Sequence, residues 1–502
     1  MDTMTKLTFY GGVGEIGGNK ILLESEGKRI WLDFGMSFRQ SDLYFDDFLQ
    51  PKRYNGVMDF LEMGLLPALP DMGGLYRQDY LAHADMNVEA EAAYDAVFLS
   101  HAHADHVSYI HFLRNDIPIY AMDVTKRILA SMEESSTGSF NEFTVFKEAF
   151  KTKVSSKPGA GVVRVAGKEA NEAKVQRSFT GLASGAKVAI GDLVVEAVAV
   201  NHSIPGACGY LIHTPRGVIA YTGDLRFHGY AGNLTEAFVK RAAACEPIAL
   251  ICEGTRIDQK EGLTEQDVQE KVAEVVRRTK NLVLSNYPWK DIERLRSFYE
   301  AAKATGRKLA LNLKQAYLLK QLEGCDVGAP SLDDANIVIY IDRKGWGLIT
   351  KPDRQIYPDN IVKQDYATWE REFLDRPNCV TCDDIHRNQS DFIVRVDFFD
   401  LTDLINIRPD SGSSYIWSRT EPFDDEGEIE QGKVERWLEH FGLMPYEKAH
   451  VSGHASGVEI KRLVREISPK KLFPVHTEYA GHFSDLTGME LVIPEKGRHY
   501  QV

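Results

Sequence analysis

The hexapeptide HAHADH, residues 101–106, crowds His101, His103, Asp105 and His106 into one short stretch directly after the apolar run AVFLS. Such crowding is unfavourable without an occupant, because protonated imidazoles repel one another and neutral ones carry unpaired nitrogens. In an extended turn His101 and His103 point to one side, with Asp105 and His106 one step further on, a layout suited to two adjacent metal ions. Imidazole nitrogen and carboxylate oxygen suit zinc, and a mixed donor set with an open position is catalytic rather than structural. Three more residues lie just past the carboxyl end of an apolar strand: His202 in VNHSIP, Asp224 in YTGDLRF and His476 in LFPVHTE. A lone histidine is more often a satisfied core or surface residue, and the shared placement is what singles these out. His101, His103 and His202 would then hold one ion, Asp105, His106 and His476 the other, with Asp224 bridging, a ligand set suited to a hydrolytic metal pair.

The elements that must position these residues are legible as short runs. KLTFYGGVGEIGGNKILLES reads as strand, glycine-rich turn and strand, and KRIWLDFG as a third strand, so an antiparallel sheet opens the chain. Gly11, Gly12, Gly14, Gly17 and Gly18 do not form a dinucleotide loop, since no helix opens after them; they predict a hairpin turn with its backbone near the substrate. DAVFLS, LVVEAVAV, GVIAYTGD and PIALICEG are further strands, each stopped by a polar or glycine-rich turn. From about Leu263 the pattern changes. Thr264 caps a helix TEQDVQEKVAEVVRRTK, followed by strand NLVLSN, helix DIERLRSFYEAAKATG and strands KLALN, NIVIYI and DFIVRVDFF. This alternation predicts a small α/β unit with parallel pairing to about residue 440. The remainder reads as strand and glycine turn in AHVSGHAS, helix GVEIKRLVREIS and strand KLFPVHTE, whereas residues 36–95 show no regular period.

Composition bounds the rest. The 502 residues are 43% hydrophobic and 26% charged, which describes a packed protein of two or three domains and excludes disordered or collagenous chains. No run approaches the roughly 18 apolar residues of a membrane span, and the amino terminus lacks the apolar stretch of a secretion signal, so a soluble cytoplasmic protein with no membrane partner is expected. The scattered cysteines predict reduced thiols, and the C-x-x-C at Cys379 and Cys382 has no second pair to complete a zinc knuckle. A net charge of −14 counts against casual nucleic-acid binding, although bound divalent cations would offset negative charge where an anionic substrate reacts.

The motifs together resemble a known family. HAHADH, Asp33 in WLDFG, His202 in VNHSIP and Asp224 in TGD are similar to the successive motifs of the metallo-β-lactamase superfamily. Glu253 in CEGTR, His454 in VSGHAS and His476 in PVHTE resemble, in order, the three further motifs of the β-CASP nucleases. GGVGEIGGNK and SNYPWKDIERLRSFYEAAKATGRKLAL look more specifically like ribonuclease J. The resemblance implies an α/β fold, a four-layer αββα sandwich formed by residues 1–258 and 441–502, with an α/β β-CASP domain, 259–440, inserted. It implies that Asp33 orients ligands without binding metal. Spacings from Asp33 to His101 and from His106 to His202 look longer than is usual in ribonuclease J, so insertions are expected there. There is no room for the C-terminal domain of the bacterial enzymes, which leaves a homo-oligomer as an open expectation.

The implied activity is hydrolysis of RNA phosphodiesters by two zinc ions, with manganese or magnesium as alternatives, in 5′ exonucleolytic or endonucleolytic mode. Asp105 would accept a proton or position the attacking water. His454 would contact the scissile phosphate and protonate the leaving oxygen, with Glu253 fixing its tautomer. Ser452, Gly453 and Ser456 are candidates to bind substrate phosphate. Lys290, Arg294 and Arg296 are candidates for the RNA backbone, with Tyr287 or Trp289 stacking on a base. Competing expectations are a thioester or lactone hydrolase, which should lack the inserted domain, a DNA nuclease, in which valine usually replaces the histidine at 476, and a non-catalytic RNA-processing scaffold, which would have lost ligands. A flavodiiron oxidoreductase would carry glutamate where Ala104 stands.

Overall fold

The structure, a computed structural model, describes residues 4–502 except 47, 53–54, 137–139, 158, 160, 166–173, 261, 348–358 and 423–424. Two seven-stranded sheets face each other. The first contains the hairpin Lys6–Gly11 and Lys20–Ser25, then Lys28–Phe34, Ala96–Phe98 and Ile119–Met122. The second contains Leu193–Ala199, Cys208–Thr214, Gly217–Tyr221, Ala249–Glu253 and Lys471–Val475.

Strand periodicity separates the layers. Ile21, Leu23, Ile30 and Leu32 join Tyr210, Ile219, Ile251 and Phe473 in the core between the sheets. Their neighbours Leu22 and Trp31 point outward, toward Val57, Phe60 and Leu81 from the 36–95 segment, which folds as short helices at Met58–Glu62 and Gln78–His83. On the far side of the second sheet Leu250 and Cys252 pack with Phe238 and Leu463, from helices Gly232–Ala243 and Gly457–Ile467. Each fully buried large apolar side chain contributes roughly 1.5–3 kcal/mol. These layers are the αββα sandwich.

A third seven-stranded sheet, built from residues 283–448, is parallel throughout, and its strands alternate with helices. Its first helix, Glu265–Arg278, starts at a capping box made by Thr264 and Asp267. Two details differ from expectation. The last strand of this sheet, Glu447–Lys448, lies beyond residue 440, so the chain returns to the sandwich later than expected. Residues 449–455 form no strand: their backbone passes from the inserted unit, with Ala449 N–H to Trp417 O at 3.0 Å, to a loop of the sandwich, with Ala455 N–H to Leu225 O at 2.7 Å. Cys379 and Cys382 are free thiols, and no metal-ligating cluster among the described residues includes them. No described helix is long and apolar enough to cross a membrane.

Candidate metal centre

In the second sheet, Leu193–Ala199 runs parallel to Gly217–Tyr221 through two antiparallel steps, and Gly217–Tyr221, Ala249–Glu253 and Lys471–Val475 are parallel to one another. All four therefore end at the same edge. His202, Asp224, Glu253 and His476 sit at or just past those ends. In the first sheet Ala96–Phe98 is parallel to Lys28–Phe34, which brings the 101–106 turn beside Asp33. His103 precedes a single helical turn, Ala104–Val107, that carries Asp105 and His106 inward.

The side chains converge. His103 Nδ1 lies 3.0 Å from His101 Nε2 and 3.1 Å from His202 Nε2. His476 Nε2 stands 3.0 Å from Asp105 Oδ2, and His106 Nε2 is 3.7 Å from the same oxygen. Asp224 Oδ2 lies between the two groups, 3.2 Å from His106, 3.6 Å from both His101 and His476, and 3.9 Å from His202. His101, His103 and His202 form one cluster of ligand atoms and Asp105, His106 and His476 another, each set mutually within 4.8 Å.

Electrostatics suit cations. Burial, reinforced by neighbouring imidazoles, lowers the pKa of His101 and His202, and burial beside Lys290 brings His103 to about 3. Burial thus favours the neutral rings, whose free nitrogens can pair by N–H···N hydrogen bonds within the cluster and are also the lone-pair donors a shared cation would take. His106 Nε2 and Asp224 Oδ1 are buried with no hydrogen-bond partner, two orphaned groups that a metal would satisfy. The donor set fits a pair of divalent ions.

A second layer orients the donors. Asp33, fully buried, accepts from Ser100 N at 2.6 Å, Ser100 Oγ at 2.8 Å, Tyr221 Oη at 2.5 Å and His106 Nδ1 at 2.8 Å, so it turns the His106 Nε2 lone pair inward and is not itself in a ligand cluster. His202 Nδ1 donates to Gly453 O at 2.6 Å, and His476 Nδ1 is 2.7 Å from Thr255 Oγ1. The glycine-rich hairpin turn closes over the opposite side. Gly12 O accepts from His476 N at 2.8 Å, and a Cβ on Gly17, whose φ is +82°, would stand 2.7 Å from the Asp105 carboxylate. Lys20, buried and brought by desolvation to a pKa of about 7, donates to Gly18 O at 2.9 Å and Gly35 O at 2.8 Å, which ties that turn to the strand end after Asp33. Nothing in the sequence distinguished Ser100, Tyr221, Thr255 or Lys20 from ordinary core and turn residues.

His454 stands beside the cluster, with Nδ1 3.1 Å from Glu253 Oε2 and 3.9 Å from Asp224. Burial pulls its pKa down, but Glu253 and Asp224 more than offset this and hold it at about 9. Glu253 also accepts from Leu225 N at 2.8 Å, which fixes its own rotamer.

Several expected substrate contacts are placed differently. Ser456 caps helix Gly457–Ile467 in a reciprocal box with Glu459, so its hydroxyl is engaged within the fold. Tyr287 is fully buried and stacks on Phe298, which leaves no face for a base. Arg294 is fully buried, donating to Glu265 at 2.7 Å, Ser418 O at 3.0 Å and Val451 O at 3.2 Å, so it braces the inserted unit and does not face RNA. Arg296 lies over the Tyr230 ring at 4.6 Å. Ser452 Oγ accepts from His454 N at 3.2 Å, and Gly453 contributes the carbonyl already described. Only Lys290 of the expected cations reaches the centre, with Nζ 3.3 Å from Ala102 O; the adjacent half-buried Trp289 has Lys314 Nζ 4.7 Å from its ring centre.

The fold and this cluster define the class. Residues 65–244 match a beta-lactamase superfamily domain, and residues 446–491 match a Zn-dependent metallo-hydrolase RNA specificity domain. The chain is similar over nearly its full length to ribonuclease J. It is 23% identical to that of Mycoplasma pneumoniae over 95% of this chain and 68% of the relative. For Sinorhizobium meliloti the identity is 24% over 94% of this chain and 68% of the relative. For Helicobacter pylori strain B128 it is 23% over 98% of this chain but 58% of the relative. In fold it resembles a crystal structure of a protein of unknown function from Enterococcus faecalis V583, with a TM-score of 0.69 and 23% identity, covering 99% of this chain and 100% of the other.

Proposed function

We propose that the chain is a two-zinc ribonuclease of the ribonuclease J type, with a β-CASP domain inserted into its metallo-β-lactamase sandwich. The observation that carries this reading is the juxtaposition of the His454–Glu253 pair with the ligand cluster, 3.9 Å from Asp224. His101, His103 and His202 would hold one ion and Asp105, His106 and His476 the other, with Asp224 between. The ions would supply positive charge to polarise the phosphodiester and acidify water, with manganese able to substitute for zinc.

The chain's own groups do the rest. Asp105 positions the attacking water and takes up its proton. His454, held protonated by Glu253, donates a hydrogen bond to a non-bridging oxygen and then its Nε2 proton to the leaving ribose oxygen. Glu253 keeps the other ring nitrogen protonated throughout. Lys290 offers a further cation to the phosphate at the 101–106 turn. The ribonuclease J relatives and the match of residues 446–491 to an RNA specificity domain support RNA as the substrate class.

The test is to incubate the purified protein, loaded with zinc or manganese, with 5′-monophosphorylated, 5′-triphosphorylated and circular RNA and with DNA controls. Mononucleotides released from the first alone indicate a 5′ exonuclease, and a cut circle indicates endonuclease action. Failure to cleave any nucleic acid, with rapid thioester turnover, would overturn the proposal.

A further inference from the structure

At the root of the inserted unit one carboxylate reaches across into the sandwich. Glu293, in the first turn of helix Ile292–Thr305, accepts from Asn201 Nδ2 at 2.8 Å, Arg226 Nη2 at 2.6 Å, Tyr230 N at 3.1 Å and Ala231 N at 2.9 Å. Asn201 immediately precedes His202, and Arg226 lies two residues beyond Asp224. Arg226 is wholly buried and completes a ring: its Nε donates to Asn201 Oδ1 at 3.1 Å, its backbone N to Asn201 O at 2.7 Å and its Nη1 to Ser452 O at 3.2 Å. Ser452 leads into Gly453, whose carbonyl orients His202, and then into His454. The packing leaves no slack, because a Cβ on Gly229 would overlap Asn201 Oδ1 and Glu293 Oε2.

We propose that Glu293 is a positioning residue of the metal centre, through which seating of the inserted unit sets the His202 loop, the Asp224 loop and the His454 loop together. The inference rests on the metal-centre reading but not on the identity of the substrate. A carboxylate bound by four donors from two stretches of another unit, Asn201 and residues 226–231, defines their relative geometry in a way a neutral amide cannot, since an amide has one acceptor oxygen and turns its NH2 toward Arg226 and Tyr230 or toward Asn201 and Ala231. Exchanging Arg226 and Glu293 together for apolar side chains avoids leaving either charge stranded, but it also leaves Asn201 Nδ2, Tyr230 N and Ala231 N without their acceptor, a loss of stability that thermal unfolding reads. Such an exchange abolishes the grip on Asn201 and Ser452 while leaving the units joined.

The experiment measures zinc binding to the full chain by competition with a chromophoric chelator, together with thermal unfolding. The wild type, Glu293→Gln, the paired Arg226→Met and Glu293→Leu variant, and His202→Ala are compared. Glu293→Gln and the paired variant are expected to weaken one of two zinc sites by about 10- to 100-fold, the range for groups that orient ligands. His202→Ala, which removes a ligand, should lose that same site. If Glu293→Gln fails to fold, the paired variant still tests the Glu293–Arg226 pair as one unit, since Arg226 holds Asn201 and Ser452 directly. Zinc affinity within about twofold of wild type in a folded variant, with His202→Ala still losing a site, would overturn the role of Glu293 alone. A wild type that binds no zinc would overturn the metal-centre reading as well. Loss of RNA cleavage enters neither outcome.

Discussion

Asp33→Asn tests how the centre is wired. The carboxylate has four donors and is fully buried, with three of them, Ser100 Oγ, Tyr221 Oη and His106 Nδ1, on Oδ2. An asparagine presents a single acceptor oxygen. If that oxygen stays with Ser100 N, the amide NH2 faces His106 Nδ1, and the hydroxyls can rotate to accept but the imidazole must change tautomer. Its proton moves to Nε2, the nitrogen that faces Asp105 and Asp224, and the lone pair needed by a cation is lost. If the oxygen turns toward His106, the Ser100 N–H loses its acceptor, at a cost of about 1–3 kcal/mol for an unsatisfied buried donor. Either arrangement penalises the metal-bound fold. Zinc affinity at the His106 site should fall by about 10- to 100-fold, equivalent to about 1.4–2.7 kcal/mol. Chelator competition on the full chain measures this directly, with circular dichroism confirming the fold. Two zinc sites at wild-type affinity in Asp33→Asn would refute the tautomer argument.

His476→Ala should lose one zinc, whereas His454→Ala should retain both and lose turnover; metal analysis beside single-turnover cleavage separates them, and equal metal loss would refute the division of roles. Ser456→Ala should lower unfolding stability by about 1 kcal/mol through loss of its helix cap, without changing any preference for a 5′ phosphate. Denaturant titration and paired substrates check both halves. Lys290→Ala should raise KM for RNA and reduce the salt dependence of binding by about one unit of slope, and an unchanged slope would remove it from the phosphate path.

Much of the centre was legible because its residue types are uncomfortable anywhere else. His101, His103, Asp105 and His106 crowd one turn, and His202, Asp224 and His476 follow apolar strands, so residue type and position spoke together. The structure brings those seven to one edge, and Thr264 caps the helix the sequence assigns it. The misplaced residues failed for a common reason: a charge or hydroxyl reads as exposed until its partner is known. Arg294 is satisfied by Glu265 from a preceding helix and by carbonyls far along the chain, none at helical spacing. Ser456 had its Glu459 partner three residues on, a capping box that local reading could have found. Residues 36–95 have no period because their apolar side chains fill the outer face of a sheet from short helices and turns.

The acidity of the chain and the proposed substrate are reconciled at the centre itself. Whole-chain charge is −14, which repels a polyanion at distances beyond a few Debye lengths only weakly, since screening removes such fields within about 8 Å at physiological salt. What matters is the charge within that range. The ligand clusters combine five imidazoles with only two carboxylates, Asp105 and Asp224, and burial keeps His101, His103 and His202 neutral. Two divalent ions bound there would therefore outweigh Asp105 and Asp224 and leave a local surplus of positive charge, while Asp33 and Glu253 offset His454 and Lys290. Had the ligands been mostly carboxylates, more of the ions' charge would have been offset by the donors themselves. An imidazole-rich donor set is thus what lets an acidic protein concentrate positive potential at one rim of its sandwich.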